Sequence, residues 1–287
     1  MRSLFINPVL NKEFKLRFRS LKTYIGLLVY LLAMGGVVAI IMLVTTLSDH
    51  GQFFRPDQSR LMFIALSFLQ LALILFITPG LTAGVISGER ERQTLNILLT
   101  TEQSSASIIL SKLFSSVSYL LLMVAASLPL YSMVFLFGGV SPITVLQVIG
   151  FYLFTILSFG SLGVLFSTLF RRTIISMITS YGTILFLGGG MGVLFLVLFG
   201  YFQMKMHSMT GTSQYILPYF IGMLNPPTVF LSVMGGHDTV NSLQELTGIK
   251  FPLIWSYLIS YTVISALSLW ISIRRLRPNM KPRRIKG

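Results

Sequence analysis

The 287-residue sequence contains no cysteine and only 8 acidic side chains. Without cysteine the chain can form no disulfide, thiolate zinc site, iron–sulfur cluster or cysteine nucleophile. Charged residues make up 10% of the chain, whereas soluble domains carry about 25%. Hydrophobic residues make up 54%, and the mean hydropathy is +0.80. This composition excludes a water-soluble fold and predicts an all-α membrane protein that crosses the bilayer several times.

Six stretches without an ionisable side chain are long enough to cross a bilayer, which takes about 20 apolar residues. They are residues 24–47, 61–86, 113–138, 143–170, 173–203 and 251–273. A seventh apolar stretch, 215–234, is interrupted by Pro218 and by the Asn225-Pro226-Pro227 break. Because proline removes a backbone donor, we expect short re-entrant or interfacial helices within an external segment, residues 204–250. A loosely packed external hairpin is the alternative.

The distribution of basic residues sets the orientation of the six spans. With both termini cytoplasmic, 18 of the 22 basic residues lie on the inner side. The external ones are Arg55, Arg60, Lys205 and Lys250. A seventh crossing would place the tail outside and leave a division of 12 to 10, which the enrichment of Lys and Arg on cytoplasmic flanks disfavours. We therefore predict cytoplasmic termini in a bacterial-type plasma (inner) membrane, with a basic cytoplasmic tail over 274–287.

The first 23 residues are predicted to form an interfacial helix. Asn7 is a suitable N-cap and Pro8 fits the first helical position. One side carries an apolar stripe and the other carries basic residues: Leu10, Phe14, Phe18 and Leu21 against Lys12, Lys15, Arg19 and Lys22. Such a helix lies in the membrane surface and attracts anionic lipid of the inner leaflet. A simple topology signal is the plainer interpretation, and the two are compatible.

Several function classes find little support in the residues. The spans contain no Asp, Glu, Lys, Arg or His, which argues against an ion-coupled carrier, although sodium sites built from carbonyls and hydroxyls stay open. No phosphate-binding loop, zinc-protease motif or nucleophile elbow is present, so we expect no enzymatic activity. Asp49-His50 and His237-Asp238 are interpreted as solvated loop residues, and no metal site is predicted. The energy for any transport is then expected from another subunit.

Two sets of glycines have a spacing of four residues. Gly84 precedes Gly88, and a cluster in the fifth span consists of Gly188, Gly189, Gly190 and Gly192. This spacing lets helix backbones approach closely, which is the first interpretation. A hinge or a surface facing a substrate is the second interpretation for the cluster in the fifth span.

The loop after the second span, residues 87–112, is the most informative segment. Four alternating charges, Glu89, Arg90, Glu91 and Arg92, are expected to point into water. They precede an apolar face at helical spacing formed by Leu95, Leu98 and Leu99. Ser104 or Ser105 is suited to cap the helix that enters the third span. A polar edge beside a leucine face suits docking of a protein partner, and leucines packed on lipid are the alternative.

At this loop the sequence resembles the permease subunits of type-two ABC exporters. Their first cytoplasmic loop reads approximately E-R-E-x-G-T-L-x-x-L-L-x-T-P. The matching residues are Glu89, Arg90, Glu91, Thr94, Leu95, Leu98, Leu99 and Thr101, with Gln93 in place of the common glycine and Glu102 in place of proline. Lys112, the opening Asn7-Pro8 with Lys12-Glu13, Phe170-Arg171-Arg172 and Asn225-Pro226 also resemble family features. The resemblance covers nearly the whole chain.

The resemblance implies a mechanism and a set of partners. The loop containing Glu89–Leu99 would be a coupling helix in a groove of a separate ATP-binding subunit, and Arg171 and Arg172 would make a smaller contact. ATP and Mg²⁺ would be bound on that subunit, and this chain would bind no cofactor. Two permease chains, identical or paralogous, would move an amphipathic or hydrophobic peptide, lipid or drug outward. Two alternatives remain: a non-transporting membrane scaffold or sensor that binds an ATPase, and an ion-coupled secondary carrier.

Overall fold

The computed structural model describes residues 18–48, 56–95, 104–136, 138–208, 215–235 and 237–276. Most of the predicted interfacial helix lies outside these ranges, as do Leu98, Leu99 and the tail after residue 276. Every regular element in the described part of the chain is helical, which confirms the predicted fold class.

The described residues form a series of α-helices. In chain order they are α1 (Leu21–Ser48), α2 (Pro56–Thr82), α3 (Ser87–Glu91), α4 (Ser105–Leu136), α5 (Pro142–Leu169), α6 (Thr173–Leu185), α7 (Met191–Ser208), α8 (Leu217–Leu224), α9 (Pro226–Val233), α10 (His237–Thr247) and α11 (Leu253–Leu276). A π-helical turn, Phe186–Gly190, joins α6 to α7. Ser104 precedes α4, and its hydroxyl accepts a hydrogen bond from the Ser107 N–H at 3.2 Å, as expected of an N-cap.

In the part of the chain that the structure describes, six helical segments are long and apolar enough to cross a membrane, which confirms the predicted number of spans. They are Thr23–Leu47, Gln58–Glu91, Ser105–Val134, Pro142–Leu169, Thr173–Met206 and Leu253–Leu276. The second segment runs through α2 into α3, and the fifth comprises α6, the π-helical turn and α7. Most boundaries agree with the sequence within five residues, but the third segment begins at Ser105, eight residues before the predicted start at 113, because the helix continues through Lys112.

Helices α2, α4 and α5 form the centre of the bundle. Small residues allow this approach, because lipid supplies no hydrophobic force between helices and close packing has to hold them together. At Gly163 of α5 the Cβ of any other residue would lie 2.8 Å from the Thr82 Cβ and would overlap its hydroxyl. At Gly84, in the turn between α2 and α3, a Cβ would lie 3.3 Å from the Thr173 methyl group, so the close packing predicted for this glycine is confirmed.

The segment predicted as re-entrant or interfacial contains two eight-residue helices, α8 and α9, separated at Asn225. At about 1.5 Å per residue neither is long enough to cross a bilayer. The segment is packed into the bundle, because the buried Phe230 ring lies 5.2 Å from the rings of Phe68 and Phe151. The Tyr261 hydroxyl of α11 also donates to the Leu224 carbonyl at 2.8 Å. Such contacts are typical of a re-entrant segment, and its depth in the membrane stays a prediction.

Candidate functional site

Helix α3 forms the last turn of the second membrane-spanning segment, and α5 holds its start. The Ser167 hydroxyl accepts hydrogen bonds from the N–H groups of Ile86 and Ser87 at 2.8 and 3.0 Å. The first N–H groups of a helix have no partner within the helix, so Ser167 satisfies donors that would otherwise be unpaired. The start of α3 is therefore fixed to the end of the fourth span.

Arg90 binds the carboxyl-terminal end of α5. Its guanidinium donates to the Thr168 carbonyl at 3.3 and 3.4 Å and to the Phe170 carbonyl at 3.2 Å. The last carbonyls of a helix carry a partial negative charge and lack partners within the helix, so a cation is stabilised there.

Glu91, the next residue, binds the amino-terminal end of α6. Its carboxylate accepts a hydrogen bond from the Thr173 N–H at 2.8 Å and another from the Thr173 hydroxyl at 2.7 Å. The N-cap residue Arg172 has no capping side-chain hydrogen bond, so Glu91 supplies the acceptor for α6 from another element. Arg90 and Glu91, together with Thr168, Phe170 and Thr173, are called the α3 clamp below.

Glu89 connects α3 to the third span. Its carboxylate lies 3.1 Å from the Lys112 ammonium group of α4, and it also accepts a hydrogen bond from the Thr94 hydroxyl. Lys112 is 4% exposed, which makes the carboxylate its counter-ion in a largely buried position. The expectation that the four charges point into water is therefore wrong for Glu89 and Arg90, which are half-buried and bound by neighbouring elements. Glu91 is exposed as expected, although Thr173 binds its carboxylate.

A complete C-terminal cap ends α3. The N–H of Thr94 donates to the Glu89 carbonyl at 3.0 Å, and the N–H of Gln93 donates to the Arg90 carbonyl at 3.1 Å. This is the hydrogen-bond pattern of a Schellman motif, whose penultimate residue adopts the left-handed conformation. Gln93 has φ of 59°, at the position where the resembling family commonly has glycine. The motif is kept, and glutamine takes the conformation that glycine adopts without strain.

The remaining predicted coupling residues are distributed differently. Leu95 is 7% exposed and packs within the core, so it does not form an exposed face for a partner. Leu98 and Leu99 lie outside the described residues. Arg92, Gln93 and Thr94 are exposed, as are Arg171 and Arg172 in the connection between α5 and α6. The clamp brings the two predicted contact segments, after the second span and after the fourth, next to each other.

The glycines of the fifth span form the π-helical turn and its continuation into α7. Hydrogen bonds in a π-helical turn join residues five apart rather than four, and here the Asn225 amide also binds two carbonyls of the turn. Its Nδ2 donates to the Leu187 and Gly188 carbonyls at 2.9 and 2.7 Å. Its Oδ1 accepts the Thr228 N–H at 2.8 Å and caps α9. A Cβ at Gly192 would lie 3.0 Å from the same amide nitrogen.

These contacts separate the glycines of this cluster by role. Gly192 gives room for Asn225, which is a close-packing function. Gly189 has open space where a Cβ would stand. Gly188 and Gly189 also line an apolar cavity of about 280 Å³ between α2 and the fifth span, together with Phe68, Leu75, Tyr181 and Pro227. Sequence reasoning had not identified Asn225 as a functional residue, although an asparagine before two prolines is a recognisable helix-capping signal.

The fold and the site define a multi-pass helical membrane protein. Hydrogen bonds between α3 and the end of α5 hold the ends of its second and fourth spans together. A family model described as ABC-2 family transporter protein matches residues 7–275. The chain belongs to this family and is a membrane permease component of an ABC transporter. This family in general works with an ABC ATP-binding partner. A search of curated proteins gave no match.

Proposed function

We propose that the chain is the transmembrane permease subunit of an ATP-driven exporter, with ATP and Mg²⁺ bound on a separate subunit. Family membership supports this role. The ATPase would dock on the end of the bundle that carries α3, and this end would face the cytoplasm of a plasma (inner) membrane. The permease itself would catalyse no chemical step and bind no cofactor.

The α3 clamp is the observation that carries the proposal. A partner that pushes α3 acts on α5 through Arg90, on α6 through Glu91 and on α4 through the Glu89–Lys112 ion pair. Charge-assisted hydrogen bonds are stronger than neutral ones, so α3 and these helix ends are expected to move as one body. ATP-driven motion at α3 would thereby tilt three spans together.

The surface for the ATPase follows from what the clamp leaves exposed. The outer side of this segment carries Arg92, Gln93 and Thr94, and Arg171 and Arg172 are exposed nearby. Glu89, Arg90, Glu91 and Leu95 would then transmit the motion, with the docking contacts made by their exposed neighbours. This assignment divides the predicted coupling residues into a docking group and a transmitting group.

The interior supports an amphipathic or hydrophobic substrate. The cavity between α2 and the fifth span is lined almost entirely by apolar side chains, including Phe68 and Phe76. The fifth span buries only 11% of its most apolar window within this chain, against 67% for the third. A second permease chain, identical or paralogous, is the partner we propose for this side, and the substrate path would lie between the two chains.

The test is co-purification of an ATP-binding subunit from gently solubilised native membranes, followed by transport in vesicles. Arg92→Glu combined with Gln93→Glu should reduce co-purification because both side chains are exposed on the docking side. Arg60→Glu, an exposed charge reversal at the start of α2, is the matched control and should keep the partner. No associated ATPase in wild type would refute the proposal. An ATPase that binds without substrate-dependent flux would favour the scaffold or sensor.

A further inference from the structure

A cavity of about 580 Å³ at the α3 end of the bundle contains three arginines and no acidic side chain among its lining residues. Arg90 contributes from α3, Arg171 from the connection between α5 and α6, and Arg275 from the end of α11. Leu95, Leu169 and Leu276 supply its apolar wall. Three distant parts of the sequence therefore converge on one basic, amphipathic cavity.

The positive charge of this cavity has no counter-ion among the described residues. Glu89 and Glu91 line a different cavity, where Lys112 and Thr173 bind them. Arg90 uses its guanidinium on the Thr168 and Phe170 carbonyls, which are dipoles rather than full charges. Three guanidinium groups that share one cavity repel each other, so binding an anion there would relieve the repulsion.

The position of the cavity specifies the kind of anion. It lies where α5 and α11 end, at residues 169 and 276, so it lies at the end of two candidate spans rather than between their apolar middles. On α11, Trp270 lies one turn before Arg274, and the Arg274 guanidinium is 3.9 Å from the centre of the Trp270 ring. Tryptophan beside a basic residue is typical of the lipid headgroup region. A ligand here would meet guanidinium groups with its polar part and leucines with its apolar part.

We propose that this cavity binds the phosphate headgroup of an anionic phospholipid from the adjacent leaflet. Guanidinium groups bind phosphate oxygens through paired N–H donors, which a lysine cannot reproduce. The lipid would connect the clamp to the end of the last span, because its phosphate would touch Arg90, Arg171 and Arg275 together. The proposal goes beyond the exporter role, since the site needs neither an ATPase nor a transported substrate.

The experiment measures phosphatidylglycerol binding to the purified full chain in neutral detergent, by native mass spectrometry and by the shift in melting temperature. Arg171→Gln with Arg275→Gln removes two cavity arginines. Arg172→Gln with Arg274→Gln removes their sequence neighbours, which do not line the cavity, and loses the same net charge. The cavity variant should lose roughly fivefold in affinity for each arginine, and the neighbour variant much less.

Further measurements identify the source of the phosphate, and a second variant separates loss of binding from loss of folding. Inorganic phosphate and glycerol phosphate should bind far more weakly than the lipid, and phosphatidylcholine should compete poorly. Arg171→Lys with Arg275→Lys keeps the charge and should retain part of the affinity even if the glutamine variant is unstable. Equal losses in the cavity and neighbour variants, or free phosphate binding as tightly as the lipid, would overturn the proposal. Because no ATPase is present, such a failure would leave the exporter proposal untouched.

Discussion

The carboxylate of Glu91 and the first residue of α6, Thr173, are joined by two hydrogen bonds of 2.7 and 2.8 Å, although 82 positions separate them in the sequence. The neighbouring Arg90 reaches the other side of the same short connection and binds the Phe170 carbonyl at 3.2 Å. Two consecutive side chains of opposite charge thus satisfy the end of one helix and the start of the next. Each charge matches the helix terminus that it meets.

Removing the contact between Glu91 and Thr173 should loosen this connection. We expect Glu91→Gln and Thr173→Val each to lower the melting temperature, and the double variant to lower it by less than the sum, because both single changes remove the same interaction. Thermal unfolding in detergent measures this double-mutant cycle. Arg92→Gln, an exposed neighbour, serves as the control. Strict additivity would show that the two residues contribute independently and would contradict the clamp.

Glu91→Gln and the double variant Arg92→Glu with Gln93→Glu separate docking from transmission. If Glu91 transmits motion rather than binding the ATPase, Glu91→Gln should retain co-purification of the ATP-binding subunit and lose substrate-dependent flux. Arg92→Glu with Gln93→Glu should lose both. The measurement compares partner recovery with transport in vesicles for each variant. Loss of the partner by Glu91→Gln alone would place this residue in the docking surface instead.

Gln93→Gly should stabilise the protein. Gln93 adopts the left-handed conformation at φ of 59°, which costs a residue with a Cβ about 1–2 kcal/mol. Glycine relieves this strain but gains freedom in the unfolded chain, so the net gain should be about 1 kcal/mol or less. Gln93→Ala keeps the Cβ and should bring no gain. Thermal unfolding of both variants, compared with wild type, checks the order.

Gly163→Ala should disrupt the contact between α2 and α5. The added Cβ would overlap the Thr82 side chain, and forced overpacking typically costs about 1–3 kcal/mol. Gly150→Ala on the same helix meets nothing within 4 Å and should be neutral. Thr82→Ala should rescue part of the loss in Gly163→Ala, because it removes the hydroxyl. Folding yield and melting temperature of these variants provide the comparison.

Asn225 should tolerate no replacement, because its side chain both binds the π-helical turn and caps α9. Asn225→Ala removes the side-chain hydrogen bonds to the Leu187 and Gly188 carbonyls and to the Thr228 N–H in a buried position, which should cost more than about 2 kcal/mol. Asn225→Asp keeps the cap on α9 but loses the donor to the π-helical turn. An aspartate variant as stable as wild type would show that the turn does not depend on this amide.

The spans were predictable because their physical signal is local. Long charge-free stretches and the separation of basic residues follow from the cost of placing charge in lipid, so each span is readable from its own residues. The Gly84 contact was also predictable from spacing. The Gly163–Thr82 contact was not, because two isolated small residues on different helices give no periodic pattern.

The sequence predicted where the candidate site lies along the chain, but not what its charged residues contact. The charges at positions 89–91 marked the segment, yet their partners Lys112, Thr168 and Thr173 lie 23 to 82 residues away and become visible only in three dimensions. Leu95 had the spacing of an exposed leucine face, although tertiary packing buries it. Periodicity indicates that a face is apolar and does not identify what covers it.

The central position of α5 has a consequence for how the protein is made. This helix is the fourth span to leave the ribosome, and it carries Ser167, Thr168 and the glycine that receives Thr82. The second and third spans therefore enter the membrane before α5, against which both pack, exists. The Arg90 guanidinium likewise has no helix end to bind until α5 is complete. Assembly of this bundle is expected to begin from its middle and to close around the fourth span.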